Sequence, residues 1–332
     1  MNSYRALVVN KSTEDEGTEI SIQPVERKPL ADNELFIDVH YSSINYKDGM
    51  VSALGQIATT FPITPGIDLA GVVKESNDDR FKVGDEVIAT SYDIGTSIDG
   101  GYQEYATLPG EYVIPLPDGL SLREAMIQGT AGLTVGIAID KLEKVGVHPD
   151  NGDVLVAGAS GGSGSLAVRM LNHLGYDVVA SSGSSSREDY LKSIGAKKVI
   201  ARSEVENTQE GPVNQPLYQA AIDPVGGSTT EYILKTLEPE GAVVTYGLVG
   251  GIDVSTTVLP FIGRGIHWMG ADSVYFPMAK RQHIWKRLAT DLNIDLESEG
   301  LVNEIGLDDL PQALHDIIDG NLQGRTIVSL KS

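Results

Sequence analysis

Short apolar runs separated by turn-forming clusters fill the first third of the chain: ALVVN, ELFIDVHYS, DLAGVVKE, DEVIATS, YQEYATL and YVIPLP. That spacing predicts a compact, mostly β domain. At Leu122 the pattern changes. The run REAMIQGTAGLTVGIAIDKL is helical in character, with Ser121 placed as N-cap and Glu124 three residues further on. It leads into VLVAGASGGSG, a buried-strand run closed by a glycine turn, and then into the helical SLAVRMLNHLG. Strand and helix patterns then alternate through DVVASS, SREDYLKSIG, KKVIAR, QAAIDPV, TTEYILKTL, GAVVTYG, IHWMGAD and PMAKRQHIWKRLATDL. Such alternation predicts a doubly wound parallel sheet. The closing LVNEIG, DLPQALHDIID and RTIVSL read as strand, helix and strand, too short a tail to fold alone. The expected fold is therefore α/β. Residues 126–297 form the nucleotide domain, and residues 1–125, completed by 298–332, form the β-rich domain.

The glycine turn is the strongest chemical signal. A dinucleotide cradle needs small residues at the tight turn, where backbone meets pyrophosphate, and where helix packs on strand. Ala159, Gly161 and Gly164 occupy those places. The following helix N-terminus offers unpaired N–H groups to an anion, which makes Ser160, Gly161, Gly162 and Ser163 candidate pyrophosphate contacts. An NAD site usually carries an acid about 20 residues beyond the turn to hold the ribose hydroxyls. Here that region reads Ser181, Ser182, Gly183, Ser184, Ser185, Ser186, Arg187, and no acid comes before Glu188. Hydroxyls with a nearby Arg187 or Arg202 suit a 2′-phosphate, and a plain Gly/Ser surface loop is the alternative.

Composition narrows the partners. A net charge of −21 over 332 residues argues against nucleic acid or an anionic membrane surface. The chain has no cysteine, which excludes disulfides, thiolate catalysis and cysteine-ligated zinc. The six histidines, at 40, 148, 173, 267, 283 and 315, show no metal-ligand spacing. With no signal-type N-terminus and no run of about 20 apolar residues, a cytoplasmic location is expected. The acids Glu14, Asp15, Glu16, Asp78 and Asp79 read as solvated loops.

Nine blocks then carry a resemblance. They include SSINYKDGM at 42–50, FPITPGIDLAGVV at 61–73, GTAGLTV at 129–135, GASGGSGSLAV at 158–168, IDPVGG at 222–227, YGLVGG at 246–251, TTVLPFIGRG at 256–265, GADSV at 270–274 and LQGRTIV at 322–328. In this order they resemble the medium-chain dehydrogenase/reductase superfamily, in its zinc-free quinone oxidoreductase branch, and most of all the acryloyl-CoA reductase group. The resemblance implies a Rossmann nucleotide domain, a GroES-like catalytic domain, NADPH as cofactor, a small-molecule substrate and a homodimer. It assigns Tyr46 and Asp68 to the catalytic site. Tyr46, Ser182, Gly183, Ser184, Arg202, Leu248, Ile262, Ser273 and Arg325 join the turn residues as cofactor contacts. Residue by residue, alternatives stand: Tyr46 as core or interface, Asp68 as a partner of Tyr46 or Lys47 or of turn amides, Arg325 as an exposed arginine at a domain seam.

Zinc alcohol dehydrogenases of this superfamily carry a cysteine in the first block and Gly-His-Glu in the second. Here Asn45 and the run Gly66, Ile67, Asp68 stand there, and neither Asn45 nor Ile67 supplies a thiolate or imidazole. The implied activity is zinc-independent hydride transfer from NADPH to an electron-poor C=C bond, in an acryloyl-CoA-like thioester or enone, or to a quinone. A non-catalytic NADPH-binding sensor or structural protein is the alternative. If the substrate is a CoA thioester, Arg264, Lys280, Arg281 and Arg287 are the late basic cluster available to its phosphates, unless they form a solvated helix face.

Overall fold

The computed structural model describes residues 3–12, 17–206, 210–297 and 300–331, so Glu14, Asp15 and Glu16 lie outside the described residues. Two compact units emerge: unit 1 is Met1–Ala131, Val274–Ala289 and Val302–Ser332, and unit 2 is Gly132–Ser273 with Thr290–Leu301.

Unit 1 begins with β1 (Ser3–Lys11) and β2 (Thr18–Glu26), an antiparallel pair. The strand β2 escapes the apolar pattern because only Ile20 and Ile22 alternate before Pro24, and proline demotes a strand signal. Next come β3 (Glu34–Ser43), the helix α1 (Tyr46–Ser52), β4 (Asp68–Ser76), β5 (Glu86–Thr90), β6 (Tyr105–Pro109) and β7 (Val113–Pro115). The short α1 was not legible from periodicity. Its start is held by the Asp48 carboxylate, which accepts the Asn45 N–H at 2.8 Å.

The helix α2 (Leu122–Lys144) follows, opened by a reciprocal cap: the Ser121 N–H donates to Glu124 Oε2 at 2.7 Å, and the Glu124 N–H to Ser121 Oγ at 3.2 Å. It breaks at Gly129, where φ is 51° and ψ −154°. That conformation suits glycine.

Unit 2 runs through β8 (Asp153–Val156), α3 (Gly162–His173), β9 (Asp177–Ser182), α4 (Glu188–Ser193), β10 (Lys198–Ala201) and α5 (Arg202–Glu206). It continues with β11 (Tyr218–Asp223), α6 (Gly227–Thr236), β12 (Leu237–Thr245), α7 (Leu259–Arg264) and β13 (His267–Gly270). The six strands pair in parallel in the order β10-β9-β8-β11-β12-β13. The order reverses beside β8, which is the Rossmann arrangement and puts a ligand crevice at the carboxyl ends of the strands there. Leu155, Val179, Ile233 and Val243 are core residues between sheet and helices.

The chain then returns to unit 1 with α8 (Met278–Leu288), and later with β14 (Val302–Gly306), α9 (Leu310–Ile318) and β15 (Arg325–Ser329). β15 lies between β14 and β3 in a sheet ordered β14-β15-β3-β4-β5-β7, with β6 also on β3. Leu310, Leu314 and Val328 join Leu7, Ile37 and Leu69 in one core, so the tail supplies part of the β-rich domain's interior. Placement of 274–289 differs from the sequence expectation, which gave all of 126–297 to the nucleotide domain. Buried Arg281 ties the segment to unit 1: its guanidinium donates to Thr90 and Val274, both in that unit.

Asp78 also departs from expectation. It is buried rather than solvated, and pairs with Arg80 through Nε and Nη2. Among the described residues no helix is long and apolar enough to cross a membrane.

Candidate active site

In unit 2 the turn after β8 is built from backbone. The left-handed residue is Gly158, φ 53°, one position before the Ala159 assigned to the tight turn. A Cβ on Gly164 would stand 2.3 Å from the Gly158 carbonyl oxygen, so only glycine lets α3 pack this close to the strand. Gly161 is the N-cap of α3 and brings no side chain to cap it. A Cβ there would meet only the Gly158 oxygen, at 3.5 Å. The turn leaves the helix start open to an anion.

The serine run after β9 meets this turn. Ser182 Oγ donates to Ser160 Oγ at 3.4 Å, and Arg187 Nη1 donates to the same oxygen at 3.1 Å. Arg202 lies flat against Gly183, where a Cβ would fall 1.8 Å from Nη2. Ser182, Gly183, Ser184, Arg202, Glu188 and Glu206 line a cavity of about 580 Å³. Glu206, which the sequence pattern did not single out, sits 4.0 Å from Arg202 Nε and offsets part of its charge. Elsewhere in unit 2, Leu248 and Ile262 are exposed, and Ser273 Oγ accepts the Thr134 hydroxyl at 2.8 Å.

Unit 1 holds the densest polar network, centred on Asp68 at the start of β4. This carboxylate is fully buried. Its Oδ2 accepts Ser43 Oγ at 2.7 Å, Asn45 Nδ2 at 2.7 Å and the Thr130 N–H at 2.9 Å; its Oδ1 accepts Thr130 Oγ1 at 2.5 Å. The helix break makes this possible, because a Cβ on Gly129 would come within 2.6 Å of Asp68 Oδ2. Asp68 therefore serves Asn45 and the Thr130 backbone amide rather than Tyr46, whose phenol has no hydrogen-bond partner among the described residues and which is 38% exposed.

Arg325 is 2% exposed, which removes the seam-arginine alternative. It donates from Nε to the Ile127 carbonyl at 2.8 Å and from Nη1 to the Ile44 carbonyl at 3.0 Å, with Asn45 Oδ1 at 3.5 Å. Nη2 has no partner. Burial pulls this guanidinium's pKa down, and Asp68 and Asp48 oppose that pull. Asp48 is the second buried acid; its Oδ1 accepts the Ile67 N–H at 2.9 Å. Burial and the neighbouring Asp68 push its carboxyl up to about 7, against the backbone donors at Ile67 and Asn45. Buried Tyr102, donating to the Ser43 carbonyl at 3.1 Å, closes the network.

Asp48 had a sequence signal, the acid three residues after an N-cap asparagine. Ser43, Tyr102 and Thr130 had none, because nothing local announces that they converge.

The description of the alcohol dehydrogenase GroES-like domain fits residues 31–118, and that of the zinc-binding dehydrogenase fits residues 162–290. The quinone oxidoreductase YhfP of Bacillus subtilis is 45% identical over 98% of this chain and 99% of the relative. Its crystal structure with NAD bound matches with a TM-score of 0.95 at 44% identity, covering 99% of this chain and all of that one (100%). The acrylyl-CoA reductase AcuI of Ruegeria pomeroyi is 39% identical over 99% of this chain and 100% of the relative. The yhdH oxidoreductase of Salmonella enterica in complex with NADP matches with a TM-score of 0.93 and 41% identity, covering 98% and 100%. The chain belongs to the medium-chain dehydrogenase/reductase family.

At the two positions where the resemblance puts zinc ligands, neither side chain is available to a metal ion. Asn45 turns its Nδ2 to Asp68, its Oδ1 faces the buried Arg325, and Ile67 offers no donor atom. Among the described residues no group of three or more His, Cys, Asp or Glu is arranged to hold a metal ion. The late basic cluster also dissolves. Arg264 is spent on the carbonyls of Lys235 and Leu237, and Arg281 is fully buried, so neither a solvated face nor a phosphate groove includes them.

Proposed function

We propose that this chain is a zinc-independent, NADPH-dependent reductase of an electron-poor C=C bond, in an acryloyl-CoA-like enoyl thioester or an enone, with quinones as the neighbouring substrate class. The observation that carries the proposal is the Asn45–Asp68–Arg325 network, its two charges buried, in which Asn45 stands where the resemblance puts a zinc-ligating cysteine. Bound NADPH would supply hydride to the electron-poor carbon.

The chain's own residues do the rest. Ser160, Gly161, Gly162 and Ser163 are proposed to hold the pyrophosphate on the α3 N-terminus. Ser182, Gly183 and Ser184, with Arg202 and Arg187, are proposed to hold the 2′-phosphate. Leu248, Ile262 and Ser273 are proposed contacts of the nicotinamide half. In unit 1, Asp68 fixes the Asn45 amide beside the buried charge of Arg325, and Tyr46 is the donor proposed to meet negative charge that develops on the substrate's carbonyl oxygen. One well-placed donor of this kind is worth about 3 kcal/mol. A saturated alcohol gains nothing comparable, since its alkoxide calls for a Lewis acid at positions where Asn45 and Ile67 cannot ligate one.

The proposal is tested by NADPH oxidation against acryloyl-CoA, crotonyl-CoA, 1,4-benzoquinone and an enone on one purified sample. With deuterated NADPH, label is expected at the β carbon of the saturated product. Tyr46→Phe is expected to lower kcat if the phenol donates, and to change mainly KM if it packs. Oxidation of ethanol without turnover of any acceptor would sink the assignment.

A further inference from the structure

A strained turn lies one hydroxyl beyond Asp68. Ser91 and Tyr92 are consecutive non-glycine residues in the left-handed region, with φ of 62° and 50°. Such a residue is strained and persists only where its surroundings over-determine it. The surroundings here are specific. Tyr92 donates from its backbone N–H to the Val274 carbonyl and from its phenol to the Phe276 carbonyl, both at 3.2 Å. Arg281 of α8, fully buried, donates from Nη1 to Thr90 O and Thr90 Oγ1, each at 2.9 Å, and from Nη2 to the Val274 carbonyl at 3.1 Å. Its guanidinium also lies 4.2 Å from the centroid of the Tyr92 ring, which stacks on Tyr112 at 4.6 Å. The strained residues are thus gripped on both sides by one cation.

The strain has a product. Ser91 Oγ stands 2.8 Å from Thr130 Oγ1. Thr130 spends its hydroxyl proton on Asp68 Oδ1, so the Ser91 hydroxyl must be the donor in that pair. The order is Ser91 O–H to Thr130 Oγ1, then Thr130 O–H to Asp68, a chain in which each bond polarises the next.

We propose that Arg281 is a positioning residue for the reduction: it holds the Ser91–Tyr92 turn so that Ser91 completes the hydroxyl chain that fixes Asp68, and through Asp68 the Asn45 amide. This role rests on the proposed function, but one readout does not. The Thr130 backbone N–H donates to Asp68, so its amide resonance and hydrogen-exchange rate in the labelled full-length protein report the network without turnover.

Arg281→Lys keeps the charge and loses the planar fork. Ser91→Ala removes the hydroxyl, and Ser91→Gly removes both the hydroxyl and the strain. Each single variant is expected to displace the Thr130 amide resonance. Each should also lower kcat, toward whichever acceptor the wild type reduces, by about tenfold with KM for NADPH unchanged. The double variant Arg281→Lys/Ser91→Ala should be no worse than the worse single one. Should Arg281→Lys not fold, Thr90→Val keeps the guanidinium and its bond to the Thr90 carbonyl but removes the Oγ1 acceptor, and the same displacement is expected. An unmoved Thr130 resonance with only a lowered melting temperature, or strictly additive losses, would overturn the proposal. A wild type inert toward every acceptor but with the Thr130 response intact would instead remove the proposed reduction and leave the positioning role standing.

Discussion

In unit 2 the proposed dinucleotide cradle is made of backbone, from Gly158 to Gly164, whereas in unit 1 the Asp68 network is made of side chains from β3, β4, the α2 break and β15. A backbone site is a local object. Its glycines sit within one turn, and their spacing is the geometry itself. A side-chain site exists only after the sheet has brought Ser43, Asn45, Asp68, Thr130 and Arg325 together. The first tolerates change wherever no Cβ is aimed at the turn, while the second fails when any charged member is removed, because its neighbours are buried charges.

The largest expected effect breaks unit 1. Asp68→Ala strips the buried Arg325 of a counter-charge and leaves four donors unpaired, a loss of about 3–5 kcal/mol. Urea denaturation measures it. Adding Arg325→Met to that variant should recover much of the loss, since the remaining uncompensated charge is gone. If the double variant is less stable than Asp68→Ala, the charge argument fails.

Unit 2 offers a sharper contrast within one turn. Gly164→Ala drives a Cβ to 2.3 Å from the Gly158 oxygen and should cost about 2 kcal/mol of stability. Gly161→Ala meets its nearest atom at 3.5 Å and should leave the melting temperature unchanged while weakening NADPH binding, read by cofactor fluorescence. Equal melting temperatures for the two variants would remove the distinction between a glycine kept for packing and one kept for a ligand.

The same distinction explains what the sequence made legible. Parallel-sheet alternation, the glycine turn and the Ser121–Glu124 cap are local patterns, and they form where the pattern puts them. The tail's return was legible because LVNEIG, DLPQALHDIID and RTIVSL make too short a stretch to fold alone. The burial of Arg281 was not: on α8 it sits among Lys280, Gln282 and His283, and a sequence of polar neighbours cannot say that the strained turn at Ser91 needs a cation. Likewise Asp68 reads as one acid in a strand until Gly129 turns the Thr130 N–H toward it. Tyr46, Asp68 and Arg325 were named through family resemblance, but the bonds that tie Asp68 to Asn45 come only from the fold.

Asp48 gives the network a pH signature. Its carboxyl is raised to about 7 in the folded chain, so between pH 4 and 7 the folded state holds a proton that the unfolded chain has released. That contribution to stability is fully present below the unfolded pKa and is lost as pH rises through about 7, with a slope of at most about 1.4 kcal/mol per pH unit. Asp48→Asn stays neutral throughout. The stability difference, wild type minus variant, should therefore shrink from pH 4.5 to 7.5, measured by urea midpoints. A difference independent of pH would show that Asp48 is ionised across this range.

The smallest effect concerns cofactor choice, where the backbone cradle of unit 2 depends on side chains after all. The pyrophosphate would be held by N–H groups common to both dinucleotides, so discrimination falls to the cavity of Ser182, Gly183, Ser184 and Arg202. Arg202 favours a 2′-phosphate, whereas Glu206 at 4.0 Å and Glu188 on the same wall oppose it. The cation lies directly on Gly183, and Arg187 stands beside Ser160, so the balance should favour NADPH by about tenfold in kcat/KM, or about 1.4 kcal/mol. Arg202→Ala should erase that margin, Glu206→Gln should widen it, and Ser182→Asp should invert it by setting a carboxylate against the phosphate. Because the substitutions at Arg202 and Glu206 leave the Ser182–Ser160 contact with the turn from Gly158 to Gly164 in place, NADH turnover should stay near its wild-type value in those two. If Arg202→Ala instead lowers NADH and NADPH turnover alike, the arginine supports the fold of the cradle and does not read the phosphate.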